Sequence, residues 1–175
     1  MKETLQKLKL IDYLKTDLPI NRMQFIDRLS SITDPGETGM FSGPFESFSS
    51  SKNELKGKVN YDGFTLKRRK KFFDSNANMA VATGKIFEQH GRLTVETEIN
   101  GFNNFFIVIY AFLIIIYAAA IFGIARTNSA SFFTIPFLLL HGTFMFLIPY
   151  FMMRRSVKKL KYELEREFFY LTKHS

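Results

Sequence analysis

The sequence predicts an α+β protein: a small antiparallel sheet of four to five strands with one covering helix, followed by a two-helix transmembrane hairpin and a C-terminal amphipathic helix. Three observations carry that prediction. Two uncharged apolar runs, residues 105–125 and 132–153, each exceed the ~18–20 residues that a helix needs to cross hydrocarbon. Ahead of them, short stretches of alternating apolar and polar residues are divided by Asp62-Gly63 and His90-Gly91, two-residue turn signatures of β-hairpins. Between the N-terminus and these strands lies a segment with the start signal and apolar face of a helix.

The first twenty residues admit two readings. Leu5, Leu8, Ile11 and Leu14 have helical spacing, whereas Leu8, Leu10 and Tyr13-Leu14-Lys15-Thr16 suit the start of a strand. The next element is better defined. Asn21 is a capping residue, Gln24 stands where its capping-box partner belongs, and Ile20 and Phe25 occupy the two positions of a hydrophobic staple. Phe25, Ile26, Leu29 and Ile32 line one face, and Asp34-Pro35-Gly36 ends the run, which gives a helix over residues 21–33. Residues 34–53, rich in Gly, Ser and Pro, read as a flexible connection. The aromatics Phe41, Phe45 and Phe48 within it suit either folding across the sheet or touching a membrane surface.

Residues 54–100 form the β-meander. Leu55, Gly57, Val59 and Tyr61 alternate with polar residues, Asp62-Gly63 is expected to form a turn with positive φ, and Tyr61 then faces Phe64. A second hairpin runs from Met79 to Gln89 and from Arg92 to Ile99, with Ile86 opposite Val95. Residues 1–100 therefore read as one domain, joined to the first apolar run by residues 100–104. The two runs are continuous rather than alternating, so they suit helices, in which every backbone polar group finds an internal partner in lipid. Only Arg126 to Ser131 separate them, which makes residues 105–153 a hairpin. In residues 154–175, Val157, Leu160, Leu164, Phe168 and Leu171 form a stripe supported by Lys159–Glu163 and Lys161–Glu165 pairs, a basic amphipathic helix.

Charge sets the expected topology. Of 24 Lys and Arg residues, seven follow the second run and one, Arg126, lies between the runs, so the positive-inside rule puts both termini in the cytoplasm. The N-terminal segment has no apolar core of the signal-peptide kind, which gives the same sidedness for the first hundred residues. Before the first run, 16 basic residues face 13 acidic ones, too even a balance for a nucleic-acid-binding face. Cysteine is absent, which excludes disulfides, thiolate metal ligands and a thiol nucleophile.

The candidate site residues are few. Lys67, Arg68, Arg69, Lys70 and Lys71, followed by Phe72-Phe73, form the densest basic cluster and could hold anionic head groups or a partner, together with Arg154 and Arg155 beside the second run. The plainer reading of the cluster is a solvated strand end. His141 lies near the middle of the second run, where an ionisable group is costly and is a functional candidate by default. The plainer reading is a neutral imidazole hydrogen-bonded to Tyr110 or Tyr117, which stand seven residues apart on one face of the first run. Neither run contains an acidic partner for a proton relay. Asp62, Asp74 and His90 fall at turns, and no nucleophile elbow, phosphate loop or metalloprotease motif is present. No enzyme, metal site or cofactor is expected.

The order Gly57-x-Val59, Phe64-x-Leu66-x-Arg68-Arg69, Gly84-x-Ile86 and Thr94-x-Glu96, running into an apolar hairpin, resembles uncharacterised small bacterial membrane proteins with a cytoplasmic β-rich domain before two spans. Over residues 54–153 the resemblance implies that architecture and the bacterial cytoplasmic (inner) membrane, and it carries no activity and no functional residues across. The expectation is a non-enzymatic integral membrane protein presenting a cytoplasmic module to a protein partner or anionic lipid. Its expected partners are the bilayer and further copies or a membrane complex, without nucleic acid. The alternative is a subunit of an oligomeric transporter or channel-like assembly formed by the hairpin.

Overall fold

A computed structural model describes residues 1–39, 53–69, 78–89, 92–127 and 133–173. The chain divides into two compact units, one of Met1–Phe102 with Met153–Ser175, the other of Asn103–Met152. The first unit begins with a short helix, α1 (Lys2–Lys7), and a strand, β1 (Ile11–Leu18), so both readings of the first twenty residues are realised in succession. The switch between them is Lys9, held at φ 57°, in the left-handed region. Then follow α2 (Arg22–Ser31), β2 (Thr33–Pro35), β3 (Leu55–Asn60), β4 (Gly63–Arg68), β5 (Val81–Gln89) and β6 (Arg92–Asn100).

The sheet has six strands in the order β1-β6-β5-β4-β3-β2, and it is mixed rather than antiparallel throughout. Its extra strand arises where a simple helix stop was expected. Thr33 leaves the helix, and Thr33–Pro35 pairs in parallel with Leu55–Gly57. Pro35 has no N–H to give a ladder, and an edge strand is the place in a sheet that tolerates it. The capping box expected at α2 is complete: the Asn21 side chain accepts from the Gln24 N–H at 2.8 Å and the Gln24 side chain accepts from the Asn21 N–H at 3.3 Å.

The first hairpin departs from its expected register. Val59, not Tyr61, faces Phe64, and Asn60 faces Gly63, so the turn is Tyr61-Asp62. Neither turn residue has positive φ. Gly63 belongs to the strand for a packing reason: a Cβ there would come 2.2 Å from the Gly84 carbonyl oxygen of the next strand. Because the slip is two residues, Phe64 and Leu66 still share the buried face with Leu55. Tyr61, displaced into the turn, is exposed and receives the Arg22 guanidinium over its ring at 4.7 Å. In the second hairpin Ile86 faces Val95 as expected; its turn residues 90 and 91 lie outside the described residues, as do residues 40–52 of the Phe-rich connection.

One face of the sheet carries the core. Leu18, Leu55, Phe64, Leu66, Ile86 and Val95 from the strands meet Phe25 and Leu29 of α2. They also meet Val157, Leu160, Leu164, Phe168 and Leu171 from the last helix, α4 (Thr134–Lys173). The stripe read as a separate amphipathic tail is therefore a second cover of the sheet. Aromatic rings lock this layer: Phe168 stands edge-on to Phe25 at 5.6 Å and to Phe64 at 6.0 Å. Gly84 faces Phe64 across the ladder and leaves the space its ring occupies. Polar ties add direction. Lys161 pairs with Asp12 at 3.0 Å, Arg166 with Glu54 at 3.0 Å, and Arg28 donates to the Leu171 carbonyl. Ser156 Oγ accepts the Met79 and Ala80 N–H groups, each at 2.9 Å.

The second unit holds α3 (Phe105–Thr127) and the first part of α4. Asn103 caps α3, its side chain accepting the Phe105 N–H at 2.9 Å. Both helices are long and apolar enough to cross a membrane, with mean hydropathies of 2.8 and 1.7 over their apolar windows. The 22 residues Phe105–Arg126 span ~33 Å as a helix, against ~30 Å of hydrocarbon. Pro149 lies within α4, which runs past it to Lys173, so the second apolar run and the amphipathic helix read separately from sequence fall in one helix.

Candidate functional site

Of the basic cluster at the end of β4, the described residues Lys67, Arg68 and Arg69 are engaged within the fold. Lys67 is 2% exposed, and its ammonium donates to the Gly39 carbonyl at 2.8 Å. Arg69 is 5% exposed and pairs with Asp34 of β2 at 2.8 Å. Arg68 points the other way, into the core face, where its Nε lies 2.7 Å from Glu163 of α4. A second nitrogen of Arg68 reaches Asn78 Oδ1 at 3.2 Å, and the Asn78 amide donates to the Arg69 carbonyl at 2.9 Å. Lys67, Arg68 and Arg69, expected from sequence to be head-group or partner ligands, are placed by the structure against partners within the chain. Strand alternation and the strands and helix packed around β4 give each of them an internal partner. Lys70 and Lys71 lie outside the described residues.

Glu163 is a buried acid of this unit. It is 5% exposed, and its Oε2 has no hydrogen-bond partner among the described residues. Burial raises its carboxyl above the ordinary range, and Glu54 adds to that, while the Arg68 guanidinium, Lys159 and Arg166 oppose it. From sequence, Glu163 was visible only as the i+4 neighbour of Lys159. The partner that defines it comes from a strand almost a hundred positions away, and no local pattern announces that pairing.

Arg154 and Arg155, the other predicted basic residues, remain half-buried and exposed at the start of the part of α4 that belongs to the first unit. They make no ion pair with the described residues. On the face of the sheet opposite the core, Tyr13, Lys15, Thr83, Lys85, Glu96 and Glu98 line an open groove of about 620 Å³. Ion pairs Lys2–Glu98 and Lys15–Glu96, both at 2.8 Å, cross it at the surface.

In the second unit the three polar residues singled out from sequence face one another in part. The Tyr117 hydroxyl and His141 Nδ1 are 2.5 Å apart, a short hydrogen bond between the helices. Tyr110 instead donates to the Phe146 carbonyl at 3.3 Å and stacks on the Phe146 ring at 5.6 Å. Gly142, next to His141, permits the approach: a Cβ there would stand 3.2 Å from the Tyr117 ring. The histidine is thus satisfied within the hairpin.

No protein-family model matches the chain, and no curated protein or solved structure matches it either.

Proposed function

We propose that this chain is a non-enzymatic integral membrane protein, held by its two apolar helices with both termini in the cytoplasm, whose α+β unit is a module for a protein partner. The observation that carries this reading is exposure. Only 11% and 6% of the two apolar windows is buried, whereas a soluble core helix of that hydropathy would be covered. The α+β unit supports it from the other side, because it closes a core of its own with Phe25, Phe64 and Phe168. An anchor and a module are separable in such a protein. The Tyr117–His141 hydrogen bond favours the anchor over a conducting assembly, since the histidine already has its partner inside one chain.

The chain has no cysteine, so single cysteines report sidedness without background. Arg126→Cys is expected to react with an impermeant maleimide from outside intact cells, and Tyr162→Cys only after lysis. Release of the protein from membranes by alkaline carbonate would overturn the reading. Replacing residues 103–152 by an unrelated hairpin is expected to preserve the module's cross-linked partner, and loss of that partner would favour the hairpin assembly. His141→Leu, on the anchor reading, leaves partner capture unchanged.

A further inference from the structure

We propose that the turn between α1 and β1 joins the start of the second unit-one segment, Arg154 to Lys158, in a binding collar for anionic phospholipid head groups. This rests on the membrane reading above and deepens it. The sequence separates the two segments by nearly 150 positions, but the fold brings the Leu10 backbone beside Met153 and Val157. The Gly101 N–H donates to the Leu10 carbonyl at 2.9 Å. A Cβ built on Gly101 would meet the Val157 side chain at 2.5 Å and the Met153 carbonyl at 3.0 Å. One turn further along α4, Lys161 pairs with Asp12 at 3.0 Å. Leu10 to Asp12 therefore runs beside Met153, Val157 and Lys161, and Lys7 and Lys9 lie immediately before it.

Three properties point to lipid. The first is charge: Lys7, Lys9, Arg154, Arg155 and Lys158 make no ion pair among the described residues, while the nearby acids Asp12 and Glu98 are taken by Lys161 and Lys2. Among the described residues, α1 also carries the acid Glu3. This is the reverse of the Lys67–Arg69 cluster, where every cation is spent internally. The second is location in the chain: it leaves this unit after Phe102 and returns at Met153, so Arg154 and Arg155 directly follow the second apolar run in sequence. The third is the turn itself. Lys9 sits at φ 57°, where glycine would avoid a steric cost, and Leu8 beside it is 44% exposed. A cation and an apolar side chain held at that end suit the boundary between head groups and acyl chains, where each basic residue near an anionic surface favours binding about fivefold.

The chain has no tryptophan, so Leu8→Trp creates a single fluorophore at the collar. In mixed bilayers of phosphatidylglycerol and phosphatidylcholine, brominating the phosphatidylglycerol is expected to quench it more than brominating the phosphatidylcholine at equal mole fraction. The preference should fall by about fivefold for each of Lys7→Gln and Lys9→Gln, and it should fade at high salt. Lys9→Gly should fold at least as stably as the parent and still lose preference, a split that a purely structural turn would not show. Equal quenching by the two lipids, or a preference unchanged in the two-lysine variant, would overturn the collar. Ile116→Trp separates the two readings: quenching by either brominated lipid upholds the membrane reading, and its absence defeats that reading instead.

Discussion

Arg68 and Glu163 show how a single contact changes the meaning of a sequence run. At 2.7 Å, with both side chains about nine-tenths covered, the pair is an interior ion pair, and losing one member strands the other in the core. Arg68→Ala is expected to cost ~3–5 kcal/mol, read as a lowered denaturant midpoint. The acid has a pH signature of its own. Burial lifts the native Glu163 carboxyl above the ordinary 4.5, so the folded chain holds the proton more tightly than the unfolded one. Its contribution is fully present below about pH 4.5 and is lost as the pH rises through the native value. From about pH 4.5 upward, to the raised native value, the melting temperature should fall more steeply for the parent than for Glu163→Gln; parallel profiles would refute the assignment. A third residue-scale expectation concerns Gly84, where a Cβ would lie 2.1 Å from the Phe64 ring. Gly84→Ala should cost ~1–3 kcal/mol by overpacking, measured in the same melts. None of these roles is written in local sequence. Basic residues in series look solvated unless one knows which strands and helices flank them, and a strand glycine looks like a weakness until its cross-strand ring is known.

Elements were legible where their signals are local. Asn21 and Gln24 announce α2, and both hydrogen bonds of the box form; Asn21→Ala should cost ~1 kcal/mol. The stripe Val157, Leu160, Leu164, Phe168 and Leu171 likewise announces a helix with one apolar face. Periodicity tells that a face is buried but not against what, and here the answer is the sheet. Phe168→Ala, which removes a ring packed on Phe25 and Phe64, is expected to cost ~3–5 kcal/mol in a thermal melt, where a solvent- or lipid-facing ring would cost far less. The elements that escaped are those fixed by pairing at a distance. β2 is three residues long and exists through its parallel bonds to β3, and the first hairpin's turn is chosen by the close approach of Gly63 to β5 rather than by turn chemistry. Both departures preserve the buried face, which is why an alternation argument could place the strands and still miss their alignment.

At the scale of the whole molecule, an α+β unit with a six-stranded mixed sheet and two long apolar helices stands clear of argument. Length and continuity of the apolar runs made the helices readable from sequence alone, since few other forces demand 22 such residues together. In detergent, Tyr117→Phe and His141→Leu should each loosen the helical pair, and the double variant should lose less than the sum of the two. Additive losses would mean that the 2.5 Å contact contributes no coupling. The α+β unit is also discontinuous, made of Met1–Phe102 and a segment beginning at Met153. On a ribosome the sheet is complete fifty residues before the helix that seals Phe25 and Phe64 has emerged. Assembly is thereby ordered in time: translation must deliver the hairpin before the nascent sheet can be closed, and a chain stalled between the two displays its aromatic interior to chaperones and proteases.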